Sequence, residues 1–89
     1  MTARIIGRVQ GVGFRWWIRS HANDLRLTGW VMNDDDERTV SVVAEGTAEA
    51  LDELERLLWI GPGAAQVDRV QVRREPASGG FDGFAITRP

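Results

Sequence analysis

The sequence predicts an α+β domain of the ferredoxin-like kind: a split β-α-β sandwich, its antiparallel sheet carrying two helices on one face. Two observations lead there. The hydrophobic period changes along the chain in the order strand, helix, strand, strand, helix, strand, with a short terminal strand to follow. The length of 89 residues, 43% of them hydrophobic, suits one core and one domain over residues 1–89, with no room for a second.

The first strand is Ala3 to Val9, with Ala3, Ile5, Gly7 and Val9 turned the same way. From Phe14 or Arg15 onward the apolar step lengthens. Phe14, Trp17, Ile18, His21, Ala22 and Leu25 recur at three- and four-residue intervals and mark one helical face. Leu27 to Asn33 and Thr39 to Glu45 read as strands joined by the acidic turn Asp34 to Arg38. Thr47 is placed to cap a second helix, with Leu51, Leu54 and Leu58 as its buried stripe. Glu49, Asp52 and Glu53 near its start suit the helix dipole, and Gly61-Pro62-Gly63 stops it. Val67, Val70 and Val72 populate a further strand, and Phe81 to Thr87 a last one after the Ser78-Gly79-Gly80 turn.

Composition narrows the function classes. Eleven basic against thirteen acidic residues give a formal charge of −2, so no global positive field is present to hold nucleic acid or an anionic membrane. Any anion site must be local. An RNA-binding module of this topology places aromatics beside basic residues on its central strands; here only Trp30 is an aromatic in a predicted central strand, and no nucleic-acid partner is expected. No apolar run is long enough for a membrane span, and no leader resembling a signal peptide precedes the first strand, so a cytoplasmic monomer without membrane contact is expected. The absence of cysteine removes disulfides, a thiolate nucleophile and every cysteine-based metal site.

The most informative segment is Gly7-Arg8-Val9-Gln10-Gly11-Val12-Gly13-Phe14-Arg15. A strand runs into a loop with two glycines and then into a helix start. Glycine admits positive φ and close backbone approach, and the first N–H groups of a helix have no partner within it. The N–H groups of Gly11, Val12, Gly13, Phe14 and Arg15 can therefore gather around one anion. The planar guanidinium of Arg15 adds a fork matched to phosphate oxygens. Taken by position alone, Arg15 is a cation at the wrong end of a helix dipole; a bound dianion reverses the sign of that interaction.

This segment, followed by Gly29-Trp30-Val31-Met32-Asn33, strongly resembles the acylphosphatase family in both order and spacing. The resemblance continues through Val43-Ala44-Glu45-Gly46, Gly61-Pro62-Gly63-Ala64, Val67-Asp68-Arg69-Val70 and Gly83-Phe84-Ala85-Ile86, nearly the whole chain. It implies a metal-independent hydrolase without a cofactor that splits small acyl phosphates into a carboxylate and inorganic phosphate. It assigns Arg15 to the phosphate and makes Asn33 the residue that orients the attacking water. Asparagine suits that task because its amide both donates and accepts; without the motif, Asn33 reads as an ordinary residue ending a strand. Two side chains are enough in principle. A carboxylate leaves without protonation, since its acid has a pKa of about 4, and the charge to be stabilised lies on phosphoryl oxygens. The water's proton acceptor, phosphate itself or substrate oxygens, stays open at this level.

Other residues invite chemistry and do not carry it. Asp34-Asp35-Asp36-Glu37 lacks the glycine and distal glutamate of a calcium loop and reads as a solvated hairpin turn, so no metal site is expected. His21 reads as a partly buried, hydrogen-bonded histidine, and Ser20, His21 and Asp24 form no triad by proximity in sequence. Gln10 is expected to close the strand or hydrogen-bond the loop. Trp17 and Trp30 are expected at the core or its margin, Trp16 toward the mouth of the site, and Trp59 without a role. Two departures from the family pattern stand out. Arg26 replaces the usual glycine after the first helix, where a left-handed turn would cost a non-glycine residue roughly 1–2 kcal/mol. The hairpin has Asp36-Glu37-Arg38 where Asp-Gly is common, which loosens the expected hold on Asn33.

Overall fold

The computed structural model describes residues 1–89 and contains, in chain order, β1 (Thr2–Arg8), α1 (Phe14–Asp24), β2 (Thr28–Asn33), β3 (Thr39–Glu45), α2 (Ala48–Ile60), β4 (Gln66–Arg73) and β5 (Phe84–Ile86). The strands form one sheet in the order β4-β1-β3-β2-β5. Ala3, Ile5, Val31, Val40, Val42 and Ala44 alternate onto one face, where they meet Phe14, Ile18 and Ala22 of α1 and Leu54 and Leu58 of α2. Both helices lie on that face, and the opposite face is left uncovered. This is the expected α+β ferredoxin-like arrangement.

One feature of the expected sheet is corrected. The four longer strands are antiparallel, but β5 pairs with β2 in parallel through Gly29↔Phe84, Trp30↔Ala85 and Val31↔Ile86. The sheet is mixed. β5 is also shorter than the span Phe81 to Thr87, because its ladder on β2 is closed by Gly29 N–H donating to the Gly83 carbonyl (2.8 Å) and Thr87 N–H donating to that of Val31 (2.9 Å). Gly29 is required on the other side of β2, where a β-carbon would overlap the Val43 carbonyl of β3.

The valines of β4 step by three and then by two. A bulge between the pairs Ile6↔Arg69 and Gly7↔Val67 absorbs the extra residue, so Val67, Val70 and Val72 all pack toward the core. Thr47 caps α2 as expected, its hydroxyl accepting from Ala50 N–H at 3.1 Å, and Gly61 ends the helix at φ 69°.

The end of α1 is a Schellman motif. Arg26 N–H donates to the Asn23 carbonyl at 3.0 Å and Leu27 N–H to the Ala22 carbonyl at 2.8 Å, with Arg26 at φ 58°. Arginine thus occupies the left-handed position that glycine holds without strain. Arg26→Gly should raise stability by about 0.5–1 kcal/mol after the greater freedom of glycine in the unfolded chain is deducted. For a chain of this size the melting temperature should rise by roughly 2–8 °C in a thermal scan.

Candidate functional site

β1 and β2 are each antiparallel to β3 and therefore run in the same direction. The loop after β1, the amino end of α1 and the last residue of β2 consequently lie at one end of the sheet. Gly11 to Arg15 and Asn33 are brought to that end, and Asn33 alternates with Val31 onto the face that carries the helices.

Glycine shapes the loop. Gly11 stands at φ 73° and Gly13, the N-cap of α1, at φ 78°, with no side chain capping the helix. The first helical bond is Trp17 N–H to the Gly13 carbonyl at 3.0 Å, and none of the N–H groups from Gly11 to Trp16 donates to a backbone carbonyl. A row of free donors lies at the positive end of a helix dipole. Phe14 fastens this row to the core: its ring is 1% exposed and packs edge-on against Trp17 at 5.5 Å. Truncation to alanine would cost about 3–5 kcal/mol. Arg15 is half-buried in the first turn and forms no ion pair with any carboxylate of the chain, so its guanidinium is not already committed.

Asn33 presents a second uncommitted group. Its Oδ1 is out of solvent contact and accepts no hydrogen bond from the chain. A buried oxygen without a donor costs about 1–3 kcal/mol, and such groups persist where function needs them. An oxygen of this kind can receive a proton-bearing ligand such as water.

Gln10 connects the two halves of the site. Its Nε2 donates to the Asp34 carbonyl at 2.8 Å and to the Thr39 carbonyl at 2.9 Å, tying the loop to both sides of the hairpin that follows Asn33. The hairpin is held in other ways as well. Asp36 accepts from the N–H groups of Arg38 (3.0 Å) and Thr39 (2.9 Å) and from the Thr39 hydroxyl (2.6 Å), while Asp34 accepts from the Ser41 hydroxyl (2.7 Å). Glu37 takes the left-handed conformation at φ 63°, the position where glycine was absent from the sequence. The turn is therefore fastened rather than loose. The Thr39 hydroxyl, more than either backbone donor, holds the Asp36 carboxyl below its ordinary value. Its contribution to the hairpin is full above the ordinary carboxylate range and is lost as pH falls through the lowered folded value.

Sequence reasoning placed Gln10 near the loop without finding this role, because its acceptors lie 24 and 29 residues away. On the assignment of Asn33 to the attacking water that the resemblance implies, Gln10→Leu should lower kcat roughly 10- to 100-fold through a displaced Asn33, with inorganic phosphate still inhibiting at nearly the parental concentration. Steady-state kinetics with phosphate as competitor would check that division.

Other expectations resolve as follows. His21 is half-buried, but no hydrogen bond holds it; it packs against the Trp17 ring at 4.6 Å. Trp30 is not in the core and stands on the uncovered face of the sheet. Trp16 projects from the first turn of α1, 60% exposed, with the Arg19 guanidinium 4.2 Å from its ring centre. Trp59 is exposed at the end of α2.

A ferredoxin-like α+β domain with an anion-collecting loop at one end of its sheet is the class these features define. The sequence model of the family described as Acylphosphatase matches residues 1–86. An acylphosphatase of Salinibacter ruber is 44% identical over 99% of this chain and 92% of its own length, and one of Thermobifida fusca is 49% identical over 94% and 91%. The crystal structure of an acylphosphatase from Bacillus subtilis superposes with a TM-score of 0.92 at 34% identity, covering 97% of this chain and 94% of that one. The chain belongs to the acylphosphatase family.

Proposed function

We propose that this chain hydrolyses the carboxyl–phosphate bond of small acyl phosphates, with the phosphate held by the loop Gly11–Arg15 and the Arg15 guanidinium and the attacking water oriented by Asn33. The observation that carries the reading is the row of free N–H groups beside an unpaired arginine, at the sheet end that also holds the unpartnered Asn33 oxygen.

The chemistry follows from these groups. Loop amides and guanidinium grip the phosphoryl oxygens, whose charge they continue to balance as the bond to the acyl oxygen lengthens. Water held by the Asn33 amide attacks phosphorus in line with that bond. The bonding pair leaves on the carboxylate, which needs no proton because its acid is stronger than water by many orders of magnitude. One proton stays on the attacking oxygen and the other passes to a second phosphate oxygen, so a dianionic acyl phosphate and water become a carboxylate and doubly protonated, singly charged inorganic phosphate, H₂PO₄⁻. No side-chain base and no metal is required by this balance.

Benzoyl phosphate hydrolysis, followed by ultraviolet absorbance in the presence of EDTA, tests the reading. Turnover in the chelator is expected, with inorganic phosphate as competitor. A folded parent protein that binds phosphate but does not turn over would replace the enzyme by an anion-binding module.

A further inference from the structure

The uncovered face of the sheet carries a charge pattern that total composition conceals. On this face β1 and β4 present paired residues in four successive rows: Thr2 with Arg73, Arg4 with Gln71, Ile6 with Arg69, and Arg8 with Gln66. Every row holds one arginine and one neutral residue. The arginine alternates between the strands, and all four are exposed. Rows on one face are two residues apart, or about 7 Å along a strand, a step comparable with that between phosphates in an extended single strand of nucleic acid.

Neighbouring acids offset this stripe at Arg4 and leave its other three arginines unpaired. Arg8, Arg69 and Arg73 enter no ion pair, whereas Arg4 pairs with Asp34 at 3.7 Å and its charge also reaches the Asp36 carboxylate. Asp68, the extra residue at the bulge, is engaged by Arg38 at 3.1 Å. The Glu45 carboxylate at the rim accepts from Ser78 and Gly79. Glu49, Asp52, Glu53 and Glu55 belong to α2, on the opposite side of the sheet. The net charge of −2 is therefore a sum over two unlike faces.

An aromatic surface completes the pattern. The first row continues across the sheet as Arg73, Thr2, Val43 and Trp30. Thr2, Arg4, Trp30, Val43, Gln71 and Arg73 line one shallow concavity there. β1 and β2 are two strand spacings apart, about 10 Å, so a base attached to a backbone lying on β1 and β4 would cross Val43 and reach the Trp30 ring.

We propose that this face binds single-stranded nucleic acid, its phosphates tracking Arg73, Arg4, Arg69 and Arg8 and one base stacking on Trp30. Recognition is by backbone charge and one π-face, so it is independent of sequence. It makes no use of the loop Gly11–Arg15, which lies at the end of the sheet and on its helical side.

Fluorescence anisotropy of a labelled oligouridylate of about ten residues, with the intact protein, tests this. Binding is expected to weaken with salt at a slope near −3 in log K against log salt, about −0.7 for each of four phosphates, or roughly 50-fold between 50 and 200 mM. Arg69→Gln should reduce the slope to about −2 and leave acyl phosphate hydrolysis at the parental rate. Trp30→Ala should keep the slope and weaken binding roughly 5- to 100-fold. Arg15→Gln and saturating inorganic phosphate should leave oligonucleotide binding intact. The proposal is overturned if no binding occurs at about 50 mM salt, if binding is lost with Arg15 or displaced by phosphate, or if a duplex of the same length binds equally well.

Discussion

Replacing Arg15 by glutamine should lower kcat/KM for benzoyl phosphate by roughly 10³-fold or more while leaving the melting temperature close to that of the parent. The estimate rests on what a guanidinium facing a phosphoryl group supplies. One lost donor to a developing oxyanion costs roughly 10²–10³-fold, and an arginine on a transferring phosphoryl group contributes roughly 10³–10⁵-fold. Glutamine retains a donor but loses the charge and the fork. The stability half of the prediction follows from the ion pairs: Arg15 engages no carboxylate in the folded chain, so none is stranded by the change. The loop amides persist in the variant, so inorganic phosphate should still bind, but more weakly. A variant that lost activity through unfolding, or one that retained most of its kcat/KM, would remove Arg15 from the mechanism.

Asn33→Ala should behave differently. Here kcat should fall by roughly 10²–10³-fold, the scale of losing one well-placed amide, while the inhibition constant of inorganic phosphate stays near the parental value. Arg15→Gln weakens the hold on phosphate; Asn33→Ala should not. Stability should move little or rise, because the substitution removes a buried oxygen that has no donor in the chain. A residue whose removal stabilises the fold and abolishes turnover is retained for chemistry rather than for packing. Kinetics with phosphate as competitor, paired with thermal scans of the same samples, would separate the outcomes. A parallel loss of phosphate affinity and melting temperature would instead make Asn33 a support of the hairpin.

Much of this was legible in the residues, and the exceptions have physical causes. The two helices and four longer strands follow from apolar period, and the Thr47 cap and Gly61 stop from local hydrogen bonding, which short sequence windows contain. The direction of β5 was not legible. A three-residue strand has too little period to reveal its partner, and its pairing depends on Gly29 to Val31, more than fifty positions earlier. The loop Gly11–Arg15 could be read because its donors are sequential. Asn33 needed the family resemblance, since nothing in a single strand end distinguishes a buried orphan oxygen from a solvated amide. Gln10 was seen as a loop residue but not as the link to the hairpin, for its acceptors become neighbours only when β2 and β3 close. The arginine stripe was hidden because charge was summed over the chain, whereas pairing β1 with β4 sorts charge by side.

The bare amino end of α1 imposes a limit on how this protein can be made hardier. At most helix starts a serine, threonine or aspartate is worth about 1 kcal/mol over alanine but only a few tenths over glycine, so Gly13 forgoes little. Gly13 stands at φ 78°, so an engineered Gly13→Asp would carry left-handed backbone strain and would also occupy donors proposed to receive the phosphate. The empty protein would gain a negatively charged tenant, and every incoming phosphate would have to evict it. Selection for rugged variants should therefore avoid this helix start and settle on Arg26, where glycine relieves left-handed strain instead of a side chain adding it.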